Sequence, residues 1–339
     1  MAFLETVIRT AILFLFSILV SPLILVGFLI RGRKLFQWGK NHPLPPALIN
    51  DYTHKFAELS EVTLHYVEKG PKDGPLVLFV HGFPEFWYSW RHQINHFAAL
   101  GYRCIAVDQR GYGESSRPEG RKHYQMTKLT GDLKELVQSL GYAKATVVAH
   151  DWGGAICWAL AHLHPEVVKH LIIMNCTHPV AFEEVVKAKP MQILRSWYIL
   201  FFQAPFLPEL MIAMNDFFAL RMAFRMPLSG FVHQKNHTDV DEAAWLATFT
   251  SMNDMTGPIN YYRSIMDNKW LKATKNKIKA PVLVIWGEQD HFLVKEGACQ
   301  SQEMCEDSQV HLIPDASHWV QQDTPKEVNQ IMEKWLADR

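Results

Sequence analysis

An aspartate, a second carboxylate and a histidine capable of nucleophilic substitution follow one another along the chain, each just past an apolar run. Asp151 stands in Ala149-His150-Asp151-Trp152-Gly153-Gly154, after the segment 146–149 and before a helical pattern. This is the grammar of a strand–turn–helix elbow, whose small residues permit a sharp turn that presents the central side chain outward. An aspartate there can attack an sp³ carbon and displace a leaving group, forming an alkyl ester of the protein itself. Hydrolysis of that ester at its carbonyl carbon needs a general base and a group that orients it. His318, in Ala316-Ser317-His318-Trp319, is the expected base. Asp290, in Trp286-Gly287-Glu288-Gln289-Asp290, is the expected orienting acid, with Glu288 and Asp315 as nearby rivals. A lone aspartate after a strand commonly caps a helix; three such groups at strand ends, in this order, point to chemistry.

The loop His81-Gly82-Phe83-Pro84-Glu85 follows the apolar run 76–80. An oxyanion hole takes one backbone N–H after the nucleophile and one from an early loop, here Trp152 and Phe83. His81, Pro84 and Trp152 are expected against the substrate, with Gly82 allowing close backbone approach and Pro84 fixing the turn, where a cis bond is admissible. No metal-ligand set and no cofactor motif are expected. The cysteines at 104, 157, 176, 299 and 305 form no CxxC pair, and Cys104, Cys157 and Cys176 lie in apolar runs that suit buried reduced thiols.

Positioning these loops requires a scaffold, and the apolar pattern describes one. Strand-like segments near 53–59 and 62–69 suit a hairpin; 76–80, 104–108, 146–149, 170–174, 281–286 and 310–313 are short apolar runs alternating with helical patterns. Such alternation predicts an α/β fold, a mostly parallel sheet with helices on both faces. The interval 179–271 breaks the rhythm: it holds no clean strand, is dense in aromatic residues and methionines, and reads as a helical cap inserted late in the sheet. The expected organisation is an anchor with basic flank (1–40), a proline-rich linker (41–50), a core (51–178 and 272–339) and the cap (179–271). Lysines 269, 272, 275, 277 and 279 read as a solvated face, with contact to anionic lipid as the lesser alternative.

With 339 residues, 48% hydrophobic and 20% charged, the chain is neither disordered nor a small disulfide scaffold. The balance of 34 basic against 34 acidic residues lacks the global charge of a nucleic-acid binder, and none is expected as partner. Residues 11–30 carry no charge, long enough for a bilayer-spanning helix of about 20 residues and longer than the ~7–15 of a signal-peptide core. A retained single-pass anchor in the lipid bilayer is therefore expected. Arg31, Arg33, Lys34 and Lys40 outweigh Arg9, which predicts a catalytic domain on the cytosolic face, in the endoplasmic reticulum. The sequon Asn236-His237-Thr238 matters only for a lumenal domain, and Asn175-Cys176-Thr177 ends a predicted strand.

His81-Gly82-Phe83-Pro84-Glu85-Phe86-Trp87-Tyr88-Ser89-Trp90-Arg91, Asp108-Gln109-Arg110-Gly111-Tyr112-Gly113, His150-Asp151-Trp152-Gly153-Gly154 and Gly257-Pro258-Ile259-Asn260-Tyr261-Tyr262-Arg263 resemble epoxide hydrolases of the α/β-hydrolase fold. With its anchor, the chain is similar to the membrane-bound epoxide hydrolase 4-like branch. Ala149 departs from the glycine usual at the elbow. The resemblance implies two cap tyrosines that donate hydrogen bonds to an epoxide oxygen: Tyr262 by its motif, and Tyr198, ahead of Phe201-Phe202-Gln203-Ala204-Pro205. It also implies a small lipophilic epoxide as substrate, such as a fatty-acid epoxide, hydrolysed to a vicinal diol without a cofactor. Two alternatives stay open here. One is a dehalogenase using the same aspartate with Trp152 at the halide, which needs no tyrosines; the other is a catalytically silent scaffold that binds ligands.

Overall fold

The computed structural model describes residues 2–38, 42, 45–265 and 276–339. Its centre is an eight-stranded sheet of order β1-β2-β4-β3-β5-β6-β7-β8. β1 (Thr53–Glu58) and β2 (Thr63–Lys69) form the antiparallel hairpin, and β2 also pairs antiparallel with β4 (Arg103–Val107). β3 (Leu76–Val80), β5 (Ala145–His150), β6 (Val168–Met174), β7 (Val282–Gly287) and β8 (Ser308–Ile313) continue in parallel from β4. β3, β5 and β7 are buried along their whole length, because helices cover both faces and leave no side that must be polar. Each fully buried valine, leucine or isoleucine of these strands is worth about 1.5–3 kcal/mol of transfer free energy. This is the α/β-hydrolase fold.

The sequence pattern located these strands closely but trimmed three of them. β5 runs one residue further at each end, and β6 starts at Val168 and β8 at Ser308, where exposed Lys169 and Gln309 interrupt the apolar signal. Cys104, Cys157, Cys176 and Cys305 are buried thiols, and Cys299 is exposed.

Between β6 and β7 the described residues form helices and no strand, among them Trp197–Phe201, Leu207–Arg225 and Thr256–Ser264. Buried Arg263 ties three of these segments together. Its guanidinium makes a two-pronged pair with Glu209 (2.6 and 3.0 Å) and donates to the carbonyls of Phe202 and Ala204. Gln203 in turn donates to the Tyr262 carbonyl at 2.9 Å. The expected end of the cap at 271, with Lys269, Lys272 and Lys275, lies outside the described residues, as do 39–41, 43 and 44 around the linker.

The N-terminal helix, Ala2–Arg31, is apolar enough over Thr10–Phe36 to cross a membrane. It does not stand clear of the globule. Ile12, Phe16, Val20 and Ile24, four residues apart on one face, pack against the core cluster, and Phe16 meets Phe201 edge-on at 5.0 Å. After the helix, the Asp216 N–H bonds the Gln37 carbonyl (2.9 Å), at a break in Leu207–Arg225 where Asn215, Asp216 and Phe217 take positive φ.

The junction of sheet and elbow tolerates only glycine at position 153. A Cβ there would lie 2.3 Å from the Val80 carbonyl oxygen and 2.5 Å from that of His81, both immobile backbone. Gly153→Ala should therefore cost roughly 1–3 kcal/mol of stability through overpacking. Gly131, in the helix Met126–Ser139 with open space where its Cβ would be, should behave oppositely, Gly131→Ala gaining about 0.5–1 kcal/mol. Denaturant unfolding of the detergent-solubilised chain checks both; equal effects would contradict the packing.

Candidate active site

Five loops converge at the carboxyl ends of β3, β5, β6, β7 and β8, where ligand sites of open α/β sheets lie. Asp151 occupies the elbow between β5 and the helix Asp151–Leu163 with φ +50°, a left-handed conformation that β-carbon-bearing residues adopt at a cost. Its two oxygens face different partners. Oδ1 accepts the Phe83 N–H at 2.8 Å; Oδ2 faces His318 Nε2 at 3.5 Å. The Trp152 N–H belongs to the first turn of the helix, where backbone donors lack intrahelical partners. The Phe83–Pro84 peptide is cis. Ala149 is fully buried opposite Val80, so the elbow accommodates its methyl.

His318 is buried between two carboxylates. Its Nδ1 meets Asp290 Oδ2 at 2.7 Å. Asp290 is hydrogen-bonded on every side: Oδ1 accepts from the Phe292 and Leu293 N–H groups (2.7 and 2.9 Å), and Oδ2 also accepts from Asn175 (2.8 Å). The rival acids are elsewhere, Glu288 paired with Lys295 and Asp315 beside His233. Burial works to raise the Asp290 carboxyl, but the His318 charge and these hydrogen bonds outweigh it and hold it below the usual carboxylate range. The same opposition lowers Asp151, chiefly through His318. For His318, burial pulls down, while Asp290 and Asp151 together push the imidazole up to about 10.

A second buried network, which the sequence reading did not anticipate, holds the backbone of that histidine. The fully buried Glu85 accepts from the Gly82 N–H (3.0 Å), from Gln321 and Gln322, and meets His150 Nδ1 at 2.7 Å. The other ring nitrogen of His150 lies 2.8 Å from the His318 carbonyl. Both residues sit inside motifs already singled out, yet only the pairing of β3 with β5 brings them together. Asn175, in the sequon expected at a strand end, is buried and supports Asp290.

Above Asp151 lies a cavity of about 640 Å³, lined by Phe83, Pro84, His318 and many apolar cap residues. Tyr198 and Tyr262 line it from the cap, their rings edge-to-face at 5.9 Å. Burial first, then the Asp151 charge, raises both phenols above their ordinary range, so both stay protonated at neutral pH. The adjacent Tyr261 is turned away, its hydroxyl donating to the Arg110 carbonyl at 2.8 Å. Two residues expected against the substrate do not line this cavity. His81 is buried behind its wall, its ring engaged by the Gly82 carbonyl and the Gln109 N–H. The Trp152 indole is also outside the wall; it backs Tyr262 at 4.9 Å.

Among the described residues, His54, His65 and Glu114 bring metal-ligand atoms within 4.8 Å of one another, away from the triad. The outer ring nitrogens are committed to the Leu48 carbonyl and Asp108. The inner pair is only 2.9 Å apart, a hydrogen-bond separation and shorter than the roughly 3.3 Å between two ligands of tetrahedral zinc.

Known proteins are similar to this chain. Residues 75–325 match the family described as alpha/beta hydrolase fold. Epoxide hydrolase 2 of Caenorhabditis elegans is 42% identical over 309 residues, covering 91% of this chain and 86% of that protein. The chain belongs to the epoxide hydrolase family. Human epoxide hydrolase 4 is 38% identical, over 87% of this chain and 82% of its own length. The Bacillus megaterium epoxide hydrolase solved with an inhibitor superposes with TM-score 0.76 at 32% identity, covering 84% of this chain and all of the other. For this member of the family, the ion pairs at His318 define a pH signature. A raised imidazole contributes stability in full below its ordinary 6.5 and loses it as pH rises through about 10. The unfolding midpoint should therefore fall more steeply between those values in the native chain than in His318→Gln, and parallel curves would contradict the paired geometry.

Proposed function

We propose that this chain hydrolyses lipophilic epoxides, with fatty-acid epoxides as the substrate class, to vicinal diols through an ester on Asp151. The observation that carries this reading is the split environment of the Asp151 carboxylate beneath two protonated phenols. Oδ2 attacks a ring carbon of the epoxide, the C–O bond breaks, and Tyr198 or Tyr262 gives a proton to the departing oxygen. Oδ1 becomes the ester carbonyl oxygen, already seated at the Phe83 N–H, with the Trp152 N–H as second oxyanion donor. Esterification removes the Asp151 charge that helps keep His318 protonated. The imidazolium proton then restores the phenol, and neutral His318, oriented by Asp290, takes a proton from the water that attacks the ester carbon. Collapse of the tetrahedral adduct expels the diol oxygen, which takes the proton of the new carboxyl group, and the ion-paired state returns.

The apolar cavity suits a long hydrocarbon chain, at a volume typical of sites for drug-sized ligands. The helix Ala2–Arg31 supports a bilayer anchor, and its trailing Arg31, Arg33 and Lys34 support a cytosolic catalytic domain in the endoplasmic reticulum. The anchor brings the enzyme to lipid substrates.

His318→Gln leaves Asp151 able to attack but leaves the ester without its base. Incubated with a fatty-acid epoxide, this variant should accumulate a protein heavier by the whole epoxide mass on the Asp151 peptide, since ring opening expels no atom. Intact-protein mass spectrometry reads this; an unmodified and inactive variant would contradict the two-step scheme.

Tyr198→Phe and Tyr262→Phe each remove one hydroxyl and preserve the aromatic packing. Each should slow ester formation about 10- to 1000-fold, the scale for one acid or oxyanion donor, and the double variant should nearly abolish it. Stopped-flow alkylation rates measure this. Near-native rates in the double variant would remove the phenols from the mechanism and favour halide chemistry, in which the leaving group needs no proton.

A further inference from the structure

The cavity has its mouth beside the N-terminal helix. Met191, Leu194 and Trp197 line the cavity and are also 56%, 67% and 58% exposed, which places them at its rim. Phe201, in the next turn, lines the wall and touches Phe16 of the N-terminal helix. Outside the rim the cap continues to expose Ile193, Leu200 and Phe206. The helix itself exposes Phe14, Leu15, Ile18, Leu23 and Leu25 on its other faces. Rim, cap flank and helix thus present exposed apolar side chains next to one another, a surface that marks a partner or a membrane.

The length of the contact identifies the partner. The stripe Ile12 to Ile24 runs alongside the globule for roughly 18 Å at the rise of an α-helix. The hydrocarbon layer of a bilayer is about 30 Å thick. A helix that enters lipid with this contact intact carries the cap flank in with it, because the flank lies beside the middle of the apolar segment and not beyond its end. Leucine and tryptophan on that flank gain transfer free energy in the same step.

We propose that the cap rim at Met191, Leu194 and Trp197 is immersed in the bilayer together with the N-terminal helix, so that the cavity opens into lipid and takes its substrate directly from the membrane. This rests on the hydrolase and anchor readings above and adds the route: a lipid-dissolved epoxide reaches Asp151 through the rim without crossing water.

Two readouts on the full chain in phosphatidylcholine vesicles test it. The first is depth. With Cys299→Ser removing the exposed thiol, a nitroxide is placed through Leu200→Cys on the cap flank, Phe14→Cys on the helix, or Lys144→Cys at the entrance of β5, the opposite end of the sheet from the cap. Positions 200 and 14 should both collide with oxygen and be shielded from a water-soluble nickel chelate, and position 144 should show the reverse. The second is delivery. Ile193→Asp and Leu200→Asp add charge to exposed positions outside the cavity wall; turnover of a fatty-acid epoxide dissolved in the vesicles should fall at least ~10-fold, and that of glycidol in water should stay within about two-fold. Lipid depth at 14 with water at 200 would overturn the proposal and leave the anchor standing; water at both would overturn anchor and proposal together. Equal loss on the two substrates, or none on either, would overturn the membrane route. A native chain inactive on both epoxides would overturn the hydrolase reading, and the route with it, whatever the depth at 200.

Discussion

One imidazole held between two carboxylates constrains the rest of this molecule. His318 lies 2.7 Å from Asp290 and 3.5 Å from Asp151, all three largely removed from water. Burying such charges is costly unless each remaining lone pair and proton finds a partner. The surrounding loops meet that condition: Asn175 and two backbone N–H groups saturate Asp290, Phe83 holds Asp151, and the Glu85–His150 pair grips the His318 carbonyl. These partners come from the ends of different parallel strands. The register of the sheet is therefore what sets the distances in the site.

In the proposed mechanism the same charge arrangement makes the two half-reactions sequential. An ionised Asp151 would be both the nucleophile and a reason for His318 to keep its proton. Once esterified it would be neither, and the histidine would be left to Asp290. The cap contributes what the sheet lacks, two phenols that burial and the Asp151 charge keep protonated, fixed over the elbow by Arg263 and Gln203 through neighbouring carbonyls.

The sheet was legible because its buried strands are continuous apolar runs ending in Asp108, Asp151 or Asp290-bearing loops. Asp151, Asp290 and His318 stood out for the same reason, chemistry-bearing residues directly after such runs, and the fold brings the three together. Position in the loop favoured Asp290 over Glu288, and the folded loop turns Asp290 to His318 and Glu288 to Lys295. Glu85 and His150 stood in plain view, but their pairing spans 65 positions and depends on strand register, which local pattern does not carry. Local pattern likewise does not carry side-chain direction: the motif neighbours of His81 and Trp152 reach the cavity, while their own rings turn into the packing behind it. The apolar N-terminal segment signalled a membrane helix, but not that Phe16 would pack on Phe201, since no periodicity in either segment encodes the partner.

In the mechanism proposed for this chain, Asp151 and not water forms the first bond to the substrate carbon. The direct measurement is a single turnover of excess enzyme on a fatty-acid epoxide in ¹⁸O-water, with the diol analysed for isotope. That mechanism requires the newly introduced oxygen of the first-turnover diol to be unlabelled, having come from the carboxylate, and the label to be found in Asp151. A first-turnover diol carrying only solvent oxygen would contradict it.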